Sequence, residues 1–295
     1  MLRKGYFDIE EGVLIAFIIF VILTVALPEF IPLQDIGLLL TVTTFLFGIL
    51  SGFFITNRWG RYTNLKTLLT NETGYLIGTY KLSTMISEKF AKKIADLIDE
   101  YLIQAFRYEI YEYHEKTEEY FYKIFEPFKR LKLKNKKETA VFNKVTDILK
   151  TSITDREEIF FLAKDRMPSF LYYVLWILAT ITIFSLFNLR KYTLTSSIIT
   201  VLLSTSIVLV ILVLRELDKL RWEEDILAFR IFFRVFDAIG KLRFYPDVSI
   251  KYGRIEEPKN IDYRLGIFKK EKGEGDFIER VLIVKNGKNK RRRLD

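Results

Sequence analysis

IGLLLTVTTFLFGILSGFFI, residues 36–55, runs for 20 positions without an Asp, Glu, Lys or Arg. A helix needs about 20 apolar residues to cross the ~30 Å hydrocarbon core of a bilayer, so this stretch reads as a membrane span. Residues 170–189 and 192–214 are equally free of charge. Residues 12–27 form a shorter run, which reaches a sufficient length when extended through 28–32 with Glu29 at the interface. A cleaved signal peptide is the competing reading of this first segment. Against it, Asp8, Glu10 and Glu11 stand where a positive region belongs, and no Ala-x-Ala site follows. Outside these runs the charge is dense, since 28% of the 295 residues are ionised although half are hydrophobic.

This pattern predicts an all-α polytopic membrane protein with four transmembrane helices, a large cytoplasmic helical region and an extended C-terminal tail. Residues 1–56 hold the N-terminal segment and spans one and two, 57–168 the cytoplasmic helical region, 169–214 spans three and four, and 215–295 a cytoplasmic helix and basic tail. Short loops rich in Lys and Arg stay in the cytoplasm. Residues 28–35 carry neither, whereas 57–168 carry 21 and the segment after 214 carries 21. The expected placement is therefore the cell membrane, multi-pass, with both termini cytoplasmic. Arg190 and Lys191 run against the rule in the second outer turn, where such a pair would also suit a pore mouth.

Residues 88–126 contain no Pro or Gly, and Phe90, Ile94, Leu97, Tyr101, Ala105 and Tyr108 recur every three or four positions. That spacing predicts one long amphipathic helix. A basic loop over 129–137 and a helix over 138–164 follow, and a strongly aromatic helix is expected over 215–242. Beyond Gly240, glycines and prolines punctuate short runs, and 277–284 reads as a strand in a tail that wraps the surface. The basic cluster 288–293 reads as a solvated tail beside the membrane or as an anionic-lipid site. No module that reads nucleic acid accompanies the charge, so no nucleic-acid partner is expected.

The absence of cysteine excludes disulfides, thiolate metal sites and a catalytic thiol. A single histidine, His114, excludes a multi-histidine metal centre. There is no Gly-rich phosphate loop, no HExxH helix, no EF-hand loop and no nucleophile elbow. His114, Glu115 and Glu118 are the one conceivable acid–base set, and no nucleophile joins them in sequence, so the chain is not expected to be an enzyme and no cofactor is expected. The spans hold no ionisable residue of the kind that relays protons or couples ions.

Within 36–55, Thr41, Phe45, Ile49 and Phe53 are spaced by four and share one helix face. Such a stripe suits lipid contact, or it lines a pore whose apolar constriction gates by dewetting.

Thr43-Thr44-Phe45-Leu46-Phe47-Gly48, followed by Asn57-Arg58-Trp59-Gly60-Arg61-Tyr62-Thr63-Asn64-Leu65, resembles the second transmembrane helix and following basic-aromatic turn of bestrophins. It is most similar to the prokaryotic bestrophin-like domain family, whose pattern continues into a glutamate and a tyrosine-containing helix, here Glu72-Thr73-Gly74 and Tyr80-Lys81-Leu82. Arg58, Trp59, Tyr62, Asn64 and Glu72 carry this motif. Two spans, a cytoplasmic insert, two spans and a cytoplasmic C-terminal region also match the bestrophin layout over about 1–240.

The resemblance implies a homopentamer with a central pore, whose second helices form a hydrophobic neck at Thr41, Phe45 and Ile49, with Phe53 continuing the stripe. Permeating inorganic ions and membrane lipids are the implied partners. Bestrophins follow the fourth span with a Pro-Phe-Gly turn and an acidic calcium clasp. Here that turn is missing and Glu223, Glu224 and Asp225 remain as the candidate calcium ligands, fewer than the six or more oxygens a hard cation takes. A +9 chain whose vestibule is lined by Lys and Arg would gather anions, whereas one lined by Glu109, Glu112, Glu115, Glu118 and Glu119 would gather cations. A non-channel scaffold or sensor, with four spans anchoring a cytoplasmic interaction domain, is the alternative.

Overall fold

The structure, a computed structural model, describes residues 9–31, 33–108, 110–132, 135–220, 224–251, 255–269, 277–285 and 288–293. These residues fall into two compact units, 9–63 with 166–220 and 64–165 with 224–293.

The first unit carries the apolar helices. α1 (Ile9–Ala26), the opening part of α2 (Ile36–Thr84), α6 (Ser169–Asn188) and α7 (Leu194–Asp218) are each long and apolar enough to cross a membrane. α1 does not continue through 28–32 as its sequence suggested. Pro28 has no N–H and pushes its predecessor out of the helical region, so the span is an 18-residue helix of about 27 Å. Arg190 closes its end by donating to the carbonyl of Thr24, to that of Leu27 at 2.8 Å and to that of Pro28 at 3.4 Å. The last carbonyls of a helix lack intrahelical partners and carry partial negative charge, and the guanidinium answers both. The arginine that breaks the charge rule is thus a buried helix cap.

Phe47 and Phe54 of α2, Leu175 and Ala179 of α6, and Ile211 and Leu214 of α7 form one buried cluster. Phe20, Phe187 and Val201 tie α1 to α6 and α7. Hydroxyls in these helices bond back along their own turns, as Thr24 does to the Phe20 carbonyl at 2.7 Å and Ser51 to that of Phe47 at 2.6 Å. These hydroxyls then need no water inside the bilayer, whereas the buried Ser204 hydroxyl of α7 has no hydrogen-bond partner among the described residues.

In the second unit, four helices pack together: the remainder of α2, α3 (Glu88–Ala105), α4 (Ile110–Lys129) and α5 (Lys136–Lys164). α2 is one helix of 49 residues, so the stretch 57–65 is helical and makes no turn. The single helix expected over 88–126 is two. No Pro or Gly marks the break. The half-buried Phe106 ring, just after α3, meets Phe232 edge-on at 5.7 Å and stacks on Phe236 at 6.2 Å and Phe244 at 6.0 Å, aromatic contacts that favour the break over continued helix. Asn135 caps α5, its side-chain oxygen accepting from the Glu138 N–H at 2.9 Å. The helix expected over 215–242 is also interrupted. α7 ends at Asp218, Leu220 takes a left-handed φ of 53°, and α8 (Glu224–Ala238) begins afterwards.

The C-terminal tail contains strands as well as extended chain. β1 (Phe244–Pro246) runs parallel to β2 (Tyr263–Lys269), which pairs antiparallel with β3 (Phe277–Lys285), and β3 with β4 (Lys288–Arg293), in the order β1-β2-β3-β4. A short helix, α9 (Asp247–Lys251), follows β1. The strand expected over 277–284 is β3. Glycines within 253–275 suggested irregular chain, yet Gly266 sits inside β2 for a steric reason. A Cβ there would lie 2.2 Å from Cζ and 2.8 Å from Cε2 of the Phe244 ring. Gly266→Ala is expected to cost about 1–3 kcal/mol through overpacking, read as a lower thermal midpoint of the detergent-solubilised protein.

Candidate functional site

The first half of α2 has two unlike faces. Thr43, Phe47, Ser51 and Phe54 are buried within the first unit. On the opposite side Phe45 is 66%, Ile49 52% and Phe53 64% exposed, and Thr41 is exposed too. The Thr41 hydroxyl donates to the Gly37 carbonyl at 2.9 Å, so it demands no outside partner. At 100° per residue, Gly37, Gly48 and Gly52 share this side, and a Cβ on any of them would meet nothing within 4 Å. The chain therefore leaves a bulky apolar stripe flanked by glycines uncovered, together with the exposed Leu38, Leu39, Val42 and Leu46, and buries only the opposite face of this segment.

The motif that follows α2's apolar part is structural in part. Arg58 is buried and donates to Asp218 Oδ1 at 3.3 Å and, through Nη2, to the Asn57 side chain at 2.7 Å. The same Asp218 oxygen accepts from the Met167 N–H at 2.7 Å, and Arg61 donates to the Asp218 carbonyl at 2.8 Å. Two arginines of α2 thereby grip the end of α7 and the approach to α6. Trp59 stays exposed and its ring lies 5.4 Å from that of Tyr62. Asn64 is exposed.

Glu72 lies elsewhere, in the second unit, and is 1% exposed. Its carboxylate accepts from Tyr101, from Tyr113 at 2.7 Å and from Arg156 Nη1 at 3.0 Å. Arg156 Nη2 donates to the His114 carbonyl at 3.2 Å and to the Thr117 hydroxyl at 3.1 Å, and the guanidinium sits 4.5 Å from the centre of the Phe121 ring. Burying a carboxylate is costly unless its oxygens are hydrogen-bonded and paired, as these are. α2, α3, α4 and α5 each supply one member. Sequence reasoning found Glu72 through the motif and Tyr101 as one step of an apolar repeat, but missed Arg156, Tyr113 and the meeting of all four, which no local pattern marks.

Burial holds the Tyr101 and Tyr113 phenols well above the ordinary tyrosine value, with Glu72 adding to the effect. The folded state then keeps protons that the unfolded chain releases near pH ~10. Stability from these two groups is complete below that value and falls as pH rises beyond it, by about 1.4 kcal/mol per pH unit for each tyrosine. Thermal midpoints taken from about pH 8 to 11 should drop at the alkaline end, with a shallower drop in Tyr113→Phe.

The remaining candidates do not converge. His114 Nε2 is 3.5 Å from Glu157, whereas Glu115 is bound to Lys164 at 2.9 Å and Glu118 is exposed. Of the acidic run, Glu119 pairs with Lys123 at 2.8 Å, and Glu109 lies outside the described residues. Glu223 and the side chains of Glu224 and Asp225 also lie outside them. Among the described residues no three His, Asp or Glu side chains gather to hold a metal ion.

Four membrane-length helices, two on either side of a helical insert, define a polytopic membrane protein. Residues 13–219 match the Bestrophin-like domain, and the chain belongs to that family. No curated protein and no solved structure matches it.

Proposed function

We propose that this chain forms an ion channel: a closed ring of five copies in which α2 of each subunit lines a central pore and ions flow passively down their gradient. The observation that carries this reading is the uncovered stripe of Thr41, Phe45, Ile49 and Phe53, opposite a face buried against α6 and α7. In a ring of copies around an axis, that stripe becomes a hydrophobic neck. Fivefold stoichiometry rests on the likeness to bestrophins. The neck carries no charge, so the sign of the permeant inorganic ion would be set by the charged insert. The Lys and Arg asymmetry supports cytoplasmic termini in the cell membrane, with lipid against the apolar perimeter.

Native mass spectrometry of the full chain released from nanodiscs tests the assembly. A pentamer is the expected result and leads to bilayer recordings with ion substitution. A stable monomer would sink a pore built from the second helices and favour a membrane scaffold instead.

A further inference from the structure

The turn between α6 and α7 holds a cavity of about 350 Å³ that the pore reading does not use. Its polar lining is Arg190, Thr193, Thr195, Ser196 and Thr200. Leu186, Leu189 and Ile199 supply its apolar wall. Arg190 is 3% exposed, its hydrogen bonds go to main-chain carbonyls, and among the described residues no carboxylate pairs with it. Lys191 beside it is exposed and likewise has no carboxylate partner among the described residues. The Thr193 hydroxyl oxygen accepts from the Ser196 N–H at 3.3 Å, and the Ser196 hydroxyl oxygen accepts from the Lys191 N–H at 3.0 Å. Each of those two hydroxyls keeps its hydrogen to donate, whereas Thr200 already donates its own to the Ser196 carbonyl at 2.9 Å. The positive end of α7 adds the same sign.

A cavity walled by hydroxyls and a cation on one side and by aliphatic side chains on the other fits an amphiphile with an anionic head. We propose that it binds the headgroup phosphate of a membrane phospholipid, with the acyl chains following Ile199 and the exposed Ile198 and Leu202 along α7. The site stands at the end of two spans, where headgroups lie in a bilayer. Phosphate oxygens would accept from Thr193, Ser196 and Thr195, and the cations would balance the charge.

The full chain is reconstituted in nanodiscs of phosphatidylglycerol, released into detergent, and the phospholipid retained per subunit is counted by native mass spectrometry. Arg190→Gln also removes the cap of α1, so the decisive variants are Thr195→Trp, which fills the cavity, and Lys191→Gln, both at exposed positions away from that cap. Wild type should retain lipid, and Thr195→Trp should retain about tenfold less, the loss expected when charge-assisted hydrogen bonds are blocked. Equal retention by wild type and Thr195→Trp would overturn the site. If millimolar inorganic phosphate strips the lipid from wild type and raises its thermal midpoint, while leaving the midpoint of Thr195→Trp unchanged, the cavity belongs to the free ion and the lipid assignment falls.

Discussion

Arg156→Ala is expected to destabilise the second unit by about 3–5 kcal/mol, a large share of the 5–15 kcal/mol that typically holds a domain together. The cost comes less from the lost attraction than from what remains. Glu72 is 1% exposed, and without Arg156 its charge would have two phenols as partners and no cation. Thr117 and the His114 carbonyl would lose their donor at the same moment. Glu72→Gln should cost less, because an amide still accepts from the phenols and leaves no anion, although Arg156 is then the unpaired charge. The check is the thermal midpoint of the solubilised protein for Arg156→Ala, Glu72→Gln and the double variant. The double variant should lose less than the sum of the single ones, by a coupling of about 1–3 kcal/mol. If Arg156→Ala melts like an exposed control such as Lys150→Ala, the network is not what holds α2, α3, α4 and α5 together.

That network also marks where sequence reading runs out. Membrane spans are legible because a bilayer imposes length and excludes charge over contiguous residues, so 36–55, 170–189 and 192–214 announce themselves. The two-faced character of α2 is legible for the same reason, since spacing by four is a local property. Arg156 gives no such signal: in one dimension it is one more charge among Asp155, Glu157 and Glu158, and only the packing of three other helices makes it a buried partner. Tyr101 and Tyr113 looked like steps of one continuous helix. The break that lets both phenols reach Glu72 is set by Phe106 packing on Phe236 and Phe244, more than a hundred residues away in sequence. Arg190 shows the converse. Its position offended a statistical rule, and the offence is explained by three carbonyls that a cation alone can satisfy together.

Phe45→Ala is expected to raise ion flux roughly tenfold, the effect of lowering the barrier at a hydrophobic neck by about 1.4 kcal/mol. A ring of phenyl groups expels water from a narrow passage, and an ion cannot enter without its hydration. Truncation to a methyl group widens the passage and lets water through, and in a closed ring every subunit contributes the same change. Because Phe45 is 66% exposed and helps no intrachain core, the variant should fold as the wild type does. Phe47, two positions on and buried, is the matched contrast. Phe47→Ala should cost about 3–5 kcal/mol of stability and leave the neck lined as before. The measurement is ion flux from proteoliposomes, normalised to reconstituted protein, with thermal midpoints taken alongside and Leu202→Ala as a control at an exposed apolar position of α7. Raised flux in Phe45→Ala at an unchanged midpoint places Phe45 at the constriction. Unchanged flux there, as in Leu202→Ala, would assign the stripe to lipid and leave the family's conduction pathway in this chain to be sought on another helix.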